Sequence, residues 1–255
     1  MWGTNNEIVS LPGSLAFRWI VRVAAWCCVL AALVAPAAEH RREWAQEPYD
    51  PTLKVLYHGD TSAKEICLTI DDGPNPETTP ALLRILKQKG VKATFFLLGR
   101  RAKECPELVR AIVADGHEVG NHTTDHSRLS GLGAQEIMNE IERGRDAIQK
   151  AAGVKVLLFR PPGGSMSDDV YAVAGELGYT TVLWTDTAND WYRQPPKTIV
   201  ERVLSRTQSG SIIVIHDGKP DIIQALPKII DALKTKGYKF KTAGEWSVQL
   251  SRRAG

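Results

Sequence analysis

Between residues 64 and 246 the hydrophobic pattern switches repeatedly between two periods. Short runs rich in β-branched and aromatic side chains, at 66–70, 91–98, 117–121, 156–159, 179–185, 211–215 and 238–242, read as strands. Between them, apolar positions recur at helical spacing over 78–89, 106–115, 134–151, 168–177, 197–208 and 221–236. Leu82, Leu83, Ile85 and Leu86 form the core-facing stripe of the first such helix. Strict alternation of the two element types predicts an α/β fold with parallel strands, as a closed barrel or an open doubly wound sheet. No repeat of 20–50 residues and no low-complexity tract interrupts it.

Reactive side chains fall at one kind of place in this pattern. Asp71 and Asp72 follow the first run, His122 the third, Arg160 the fourth and His216 the sixth, while Asp190 trails the fifth. Each lies at or just past the C-terminal end of a strand, where the loops of an α/β barrel converge. An open sheet would concentrate its site at a single crevice. Contributions from five strands therefore favour a barrel, distorted and TIM-like, of about seven parallel strands.

The stretch Thr69-Ile70-Asp71-Asp72-Gly73-Pro74 sets two carboxylates together. One Asp before Gly-Pro is a turn signal or a helix cap. Two repel each other unless a cation or a shared proton offsets them. His122 and His126 in His-Thr-Thr-Asp-His are four apart, and on one helical turn their rings would face the same way. With a carboxylate from a neighbouring strand end they would make a His-His-Asp site for a divalent ion such as zinc, with positions open to water and substrate. Asp125 is a rival ligand, ranked lower because on a helix it would point elsewhere. Spacing does not say which of Asp71 and Asp72 ligates. It does give both a use, one holding the metal and the other taking a proton from water as general base.

Composition narrows the setting. The chain has 255 residues, 43% hydrophobic and 24% charged, enough for one sizeable core in one or two domains. A formal net charge of +3, with no Lys/Arg block longer than two residues, leaves no footprint for nucleic acid or another polyanion. Arg18 and Arg22 precede an uncharged run at 23–38 that closes on Ala35-Pro36-Ala37. That is the pattern of a signal peptide, or of an uncleaved signal anchor, and it places the remainder outside the cytoplasm, held to a membrane only if the leader is uncleaved. Cys27 and Cys28 belong to this leader; Cys67 and Cys105 are too few for a disulfide framework, and Cys67 reads as core. The expected organisation is a leader at 1–37, a polar linker or wrap at 38–63 carrying Trp44, Tyr49 and Tyr57, and a catalytic domain at 64–250. His58 and His117 read as structural or solvated.

Taken together and in order, these motifs resemble the polysaccharide deacetylases, carbohydrate esterase family 4 with its NodB homology domain. The resemblance rests on Thr69-Ile70-Asp71-Asp72-Gly73-Pro74 for T-F-D-D-G-P and His122-Thr123-Thr124-Asp125-His126 for H-[S/T]-x-x-H. It continues in Arg160-Pro161-Pro162-Gly163-Gly164 for R-x-P-x-G, Asp190-Trp191 for D-W, and Val214-Ile215-His216 for L-x-H. It implies that Asp71 is the general base and that Asp72, His122 and His126 hold the metal, zinc first, with cobalt or nickel also suited. It further implies that Arg160 orients Asp71, that His216 is the general acid and that Asp190 tunes His216. Trp191 and Val214 would line a pocket for the acetyl methyl group. Gly163, with Pro162 beside it, would supply the backbone N–H of an oxyanion hole.

The implied reaction is hydrolysis of N-acetyl groups on N-acetylglucosamine-containing glycans of peptidoglycan or chitin type. The alternatives are an O-acetyl esterase of xylan type or a sugar-lipid deformylase using the same site, or a glycan-binding module without catalysis. Gly163 departs from the family's large aromatic, which removes one wall of the groove but keeps the backbone donor. Val214 in place of Leu slightly enlarges the methyl pocket. Asp186 is one position away from the family's earlier acid and carries no role over.

Overall fold

The computed structural model describes residues 47–254. The leader, its cysteines and Trp44 lie outside the described residues. The sheet contains β1 (Tyr49–Asp50), β2 (Val55–Leu56), β3 (Glu65–Gly73), β4 (Thr94–Leu97), β5 (Glu118–Asn121), β6 (Leu158–Phe159), β7 (Thr180–Val182), β8 (Asp186–Thr187), β9 (Ile212–His216) and β10 (Lys239–Lys241). Its neighbours run β1-β2-β7-β6-β5-β4-β3-β9-β8, all parallel except the β1–β2 pair. The ladder curls without closing, with β1 and β8 at its edges. This is the distorted, mostly parallel barrel expected, with more strands than seven. β1, β2 and β8 are two residues each, too short for any period to announce them. Val55 and Leu56, inside the stretch expected as a linker or wrap, are fully buried and pair with Thr181 and Val182.

The helices are α1 (Thr79–Lys89), α2 (Gly99–Glu104), α3 (Pro106–Ala114), α4 (Ala134–Ala152), α5 (Asp168–Glu176), α6 (Pro196–Arg206), α7 (Pro220–Thr235) and α8 (Ala243–Ala254). α2 and α8 lie outside the helices that the periodicity marks.

Period-2 alternation along β3 divides the interior into two cores. Ile66, Leu68 and Ile70 join the apolar layer between sheet and helices, with Leu82, Leu86, Phe95, Ile137, Ile213, Ile215 and Ile229. Cys67 belongs to a second cluster with Leu56, Phe96, Leu158, Val182, Ile212, Trp246 and Leu250. α8 thus packs Trp246 and Leu250 against the inward side of the strands, and backbone without side chains makes room for it. A Cβ on Gly59 would lie 2.4 Å from the Trp246 indole, and one on Gly120 would lie 2.6 Å from the Phe96 ring. Cys67 and Cys105 are both free thiols, Cys67 buried.

β3 is the axis of the site because it is the longest strand and uses both halves. Its first residues pair with β10 (Ile66 with Phe240), its later ones with β4, and β9 runs along the other edge from Cys67 to Asp71.

Candidate metal centre and active site

In a regular strand Asp71 and Asp72 would point to opposite faces. β3 avoids this with a bulge: Asp71 pairs with Phe96 and Gly73 with Leu97, leaving Asp72 as the extra residue at φ 71°. Both carboxylates consequently approach one imidazole. His122 Nε2 lies 3.9 Å from Asp71 Oδ2 and 3.7 Å from Asp72 Oδ1.

The histidines converge by loop geometry, and the expected helical turn is absent. His122 continues from β5, donating its backbone N–H to Leu97 O, and the chain to 133 is irregular. Thr123 at φ 69° and His126 at φ 64° reverse the chain so that the second ring returns. Left-handed backbone at non-glycine residues costs energy and survives where the surroundings over-determine it. Asn121 is one such constraint, accepting from Thr123 N at 3.0 Å and donating to Ile141 O at 2.8 Å. The first amides of α2 are another, Gly99 and Arg100 donating to Thr123 O and Thr124 O. Asp125 is turned outward to Arg100 Nε at 2.8 Å, so the lower-ranked rival ligand is occupied elsewhere.

His126 Nε2 stands 3.5 Å from Asp72 Oδ1, and the two rings are 5.1 Å apart. One donor atom each from Asp72, His122 and His126 fits within a 4.8 Å span. Two ligands on one tetrahedral zinc, each about 2.0–2.1 Å from it, sit ~3.3 Å apart. The separations of 3.5 and 3.7 Å come close to that. Two further features fit a cation. His122 Nδ1 donates to Arg160 O at 2.7 Å, leaving Nε2 as the bare nitrogen. Asp72 Oδ1 is buried with no hydrogen-bond partner, a costly state that a divalent ion relieves. Burial holds the His122 pKa below its ordinary value, against the pull of Asp71 and Asp72, and so favours the neutral, ligating imidazole.

Asp71 is kept apart for other work. Arg160, fully buried, donates from Nη1 to Asp71 Oδ1 at 2.8 Å and to Thr69 Oγ1 at 2.7 Å. Its Nε donates to Val182 O at 3.0 Å and its Nη2 to Leu183 O at 3.1 Å. The guanidinium lies 4.1 Å over the Phe96 ring and 5.6 Å from that of Trp184. Such a fork fixes one oxygen of Asp71 and leaves the other facing the triad.

His216 is the residue paired with Asp71 across the β3–β9 ladder. Its Nδ1 is 2.7 Å from Asp190 Oδ1 and its backbone N–H donates to Asp190 Oδ2 at 2.7 Å, so one carboxylate grips ring and main chain together. Burial opposes charge on the ring. The hydrogen bond and charge of Asp190, with Asp71 and Asp72 behind, outweigh it and raise the His216 pKa. Trp191 stands 6.0 Å from this imidazole, edge to face. Val214, two residues earlier on the strand and 3% exposed, shares its face.

Pro162 and Gly163 lie in a short 3₁₀ turn after β6. Gly163 adopts φ 63°, and a Cβ there would touch nothing within 4 Å, so that side of the site is open. Gly164, at φ 65°, is confined by the Trp184 indole.

Two supports were not singled out in the sequence. Thr69 holds Arg160 from the same strand face as Asp71, and period-2 spacing could have found it. Asp217 is buried and accepts from Thr78 Oγ1 at 2.5 Å and from Thr79 Oγ1. It ties the start of α1, and with it the Asp71-Asp72 loop, to β9. His58 and His117 are buried; burial pushes His117 down to about 4. Asp186 pairs with Arg206 at 3.3 Å.

Comparison with known proteins agrees with this geometry. A family model described as polysaccharide deacetylase matches residues 58–182. A peptidoglycan-N-acetylglucosamine deacetylase of Bacillus cereus is 39% identical over 201 residues, covering 77% of this chain and 94% of that protein. A chitooligosaccharide deacetylase of Sinorhizobium fredii is 37% identical over 204 residues, covering 74% and 95%. Among solved structures, a CE4 family pseudoenzyme from Bacillus anthracis superposes with a TM-score of 0.73 at 34% identity, covering 79% of this chain and 70% of that one. Likeness extends to proteins of both kinds, so catalytic competence is read from the residues present. With the bulged Asp pair, the two histidines and the Asp190-held imidazole on the strand ends of such a barrel, the chain belongs to the polysaccharide deacetylase family.

Proposed function

We propose that the protein hydrolyses N-acetyl groups from N-acetylglucosamine-containing glycans of peptidoglycan or chitin type, releasing acetate. The reading is carried by one observation: adjacent carboxylates are separated into two environments, Asp72 facing both histidines with an unpartnered oxygen and Asp71 clamped by Arg160. Asp72, His122 and His126 are the metal ligands in this reading. The donor set suits zinc first, with cobalt and nickel as substitutes. When bound, the ion supplies a Lewis acid for the acetyl carbonyl and lowers the pKa of water.

The remaining work falls to the chain. Asp71, oriented by Arg160, takes a proton from the attacking water as the new C–O bond forms. A backbone N–H at Gly163 donates a hydrogen bond to the developing oxyanion. His216, kept protonated by Asp190, gives its proton to the amine nitrogen as the C–N bond breaks. Trp191 and Val214 enclose the acetyl methyl group. An amine is a poorer leaving group than an alkoxide, which is why an acid with a raised pKa suits amide hydrolysis.

Residues 64–250 form the catalytic unit in this reading, with β2 as part of its sheet. The leader pattern at 1–37 supports a location outside the cytoplasm, beside wall polymers. Among the described residues no helix is long and apolar enough to cross a membrane.

The test is acetate release from N-acetylglucosamine oligomers and peptidoglycan by protein stripped with a chelator and reloaded with zinc. Turnover lost on stripping and regained on reloading is expected. No turnover on any acetylated sugar after reloading overturns the reading, and glycan retention without acetate release assigns the protein to binding alone.

A further inference from the structure

Among the described Phe, Tyr and Trp side chains, Trp191 and Tyr192 are the two that are largely exposed, at 50% and 53%. They are consecutive, their rings 5.9 Å apart at 71°, and Trp191 in turn meets the His216 imidazole at 6.0 Å. The chain that carries them is fastened. Gln194 Nε2 donates to Ala188 O and Asn189 O, Lys219 Nζ donates to Trp191 O, and Asp190 is locked to His216. Two large rings are therefore held out in water at the edge of the site by a braced loop. Exposed aromatic surface of this kind marks a contact surface, because a ring with one free face and a polar tip suits a partner that is apolar on one side and wet at its edge. A pyranose ring has that character. Across the site, Gly163 presents no side chain, and a Cβ there would meet nothing within 4 Å.

We infer that Tyr192 is a sugar-binding residue, its ring stacking on the pyranose next to the one that is deacetylated. The inference rests on the proposed deacetylase reading and deepens it. Trp191 serves the reacting sugar and Tyr192, one residue farther out, serves its neighbour. The preferred substrate is then an oligomer, since a single N-acetylglucosamine cannot reach both rings. Tyr192 specifies chain length and takes no part in the chemistry.

The experiment compares Tyr192→Ala, Tyr192→Phe and the parent protein, all zinc-loaded, on N-acetylglucosamine oligomers from dimer to pentamer. Tyr192→Ala is expected to raise KM for the pentamer about three- to tenfold, the range of one aromatic contact, with kcat changed less than KM. The advantage of long over short oligomers should shrink, and Tyr192→Phe should keep it. Calorimetric binding of the pentamer to Asp71→Asn protein, with and without Tyr192→Ala, reads the same contact without turnover. Unchanged pentamer affinity in the Tyr192→Ala background overturns the inference. Pentamer binding that depends on Tyr192, in a parent protein that releases no acetate, overturns the deacetylase reading and leaves the sugar contact standing.

Discussion

Arg160 donates to Asp71 at 2.8 Å from a position with no exposure to solvent, and the same guanidinium donates to Thr69, Val182 and Leu183. A buried carboxylate deprived of its partner is costly. Arg160→Met is therefore expected to destabilise the fold by about 3–5 kcal/mol in urea unfolding. It should lower kcat by about 10²–10⁴, because the base loses the group that orients it. Zinc affinity should change little, because His122 is oriented by the backbone carbonyl at 160 and not by the side chain.

Asp190 governs when His216 holds its proton. It favours the charged imidazolium, so Asp190→Asn lowers the His216 pKa. The acid is active when protonated, and the alkaline limb of the kcat/KM profile should move to lower pH. His216→Ala should cost about 10²–10⁴ in amide hydrolysis and less on an O-acetyl ester, whose leaving group needs the proton less. Parallel rate–pH profiles on the two substrates check both outcomes.

Asp186 links stability to pH away from the site. Burial pushes its carboxyl from 3.8 up to about 6, against the hydrogen bond from Thr187 N and the charges of Arg206 and Arg202. A raised folded pKa means its contribution is fully present below the unfolded value and is lost as pH rises through about 6. The shift corresponds to about 3 kcal/mol. Thermal midpoints of Asp186→Asn relative to the parent protein should therefore rise between acid and neutral pH, where the parent alone carries a buried charge.

Gly120 and Gly163 separate two reasons for glycine. Gly120→Ala drives a Cβ to 2.6 Å from the Phe96 ring and should cost about 1–3 kcal/mol by overpacking. Gly163→Ala meets no atom but must hold φ 63°, and should cost about 1 kcal/mol. Urea unfolding of the two variants measures the difference.

Much of this was legible in the chain. The seven apolar runs all become strands, and the residues after them gather at one end of the curled sheet. Strand ends that share a rim bring distant residues together, and hydrophobic period is enough to find strand ends. What period does not carry is local irregularity. The bulge at Asp72 and the left-handed backbone at Thr123 and His126 have no signature in hydrophobicity, so the histidines were expected on a helical turn and lie on a loop. Two-residue strands such as Val55–Leu56 are set by tertiary pairing with β7. Thr69 shares the strand face of Asp71 and was within reach of period-2 spacing, whereas Asp217 acts through hydrogen bonds to Thr78 and Thr79, far away in sequence, which no local pattern encodes.

The division of labour between Asp71 and Asp72 is tested most directly by zinc stoichiometry in two variants, measured beside acetate release. Asp71→Asn should bind one zinc per chain with near-parental affinity and show no turnover, while Asp72→Asn should lose the zinc itself. Loss of zinc from Asp71→Asn, with binding kept in Asp72→Asn, would contradict the account.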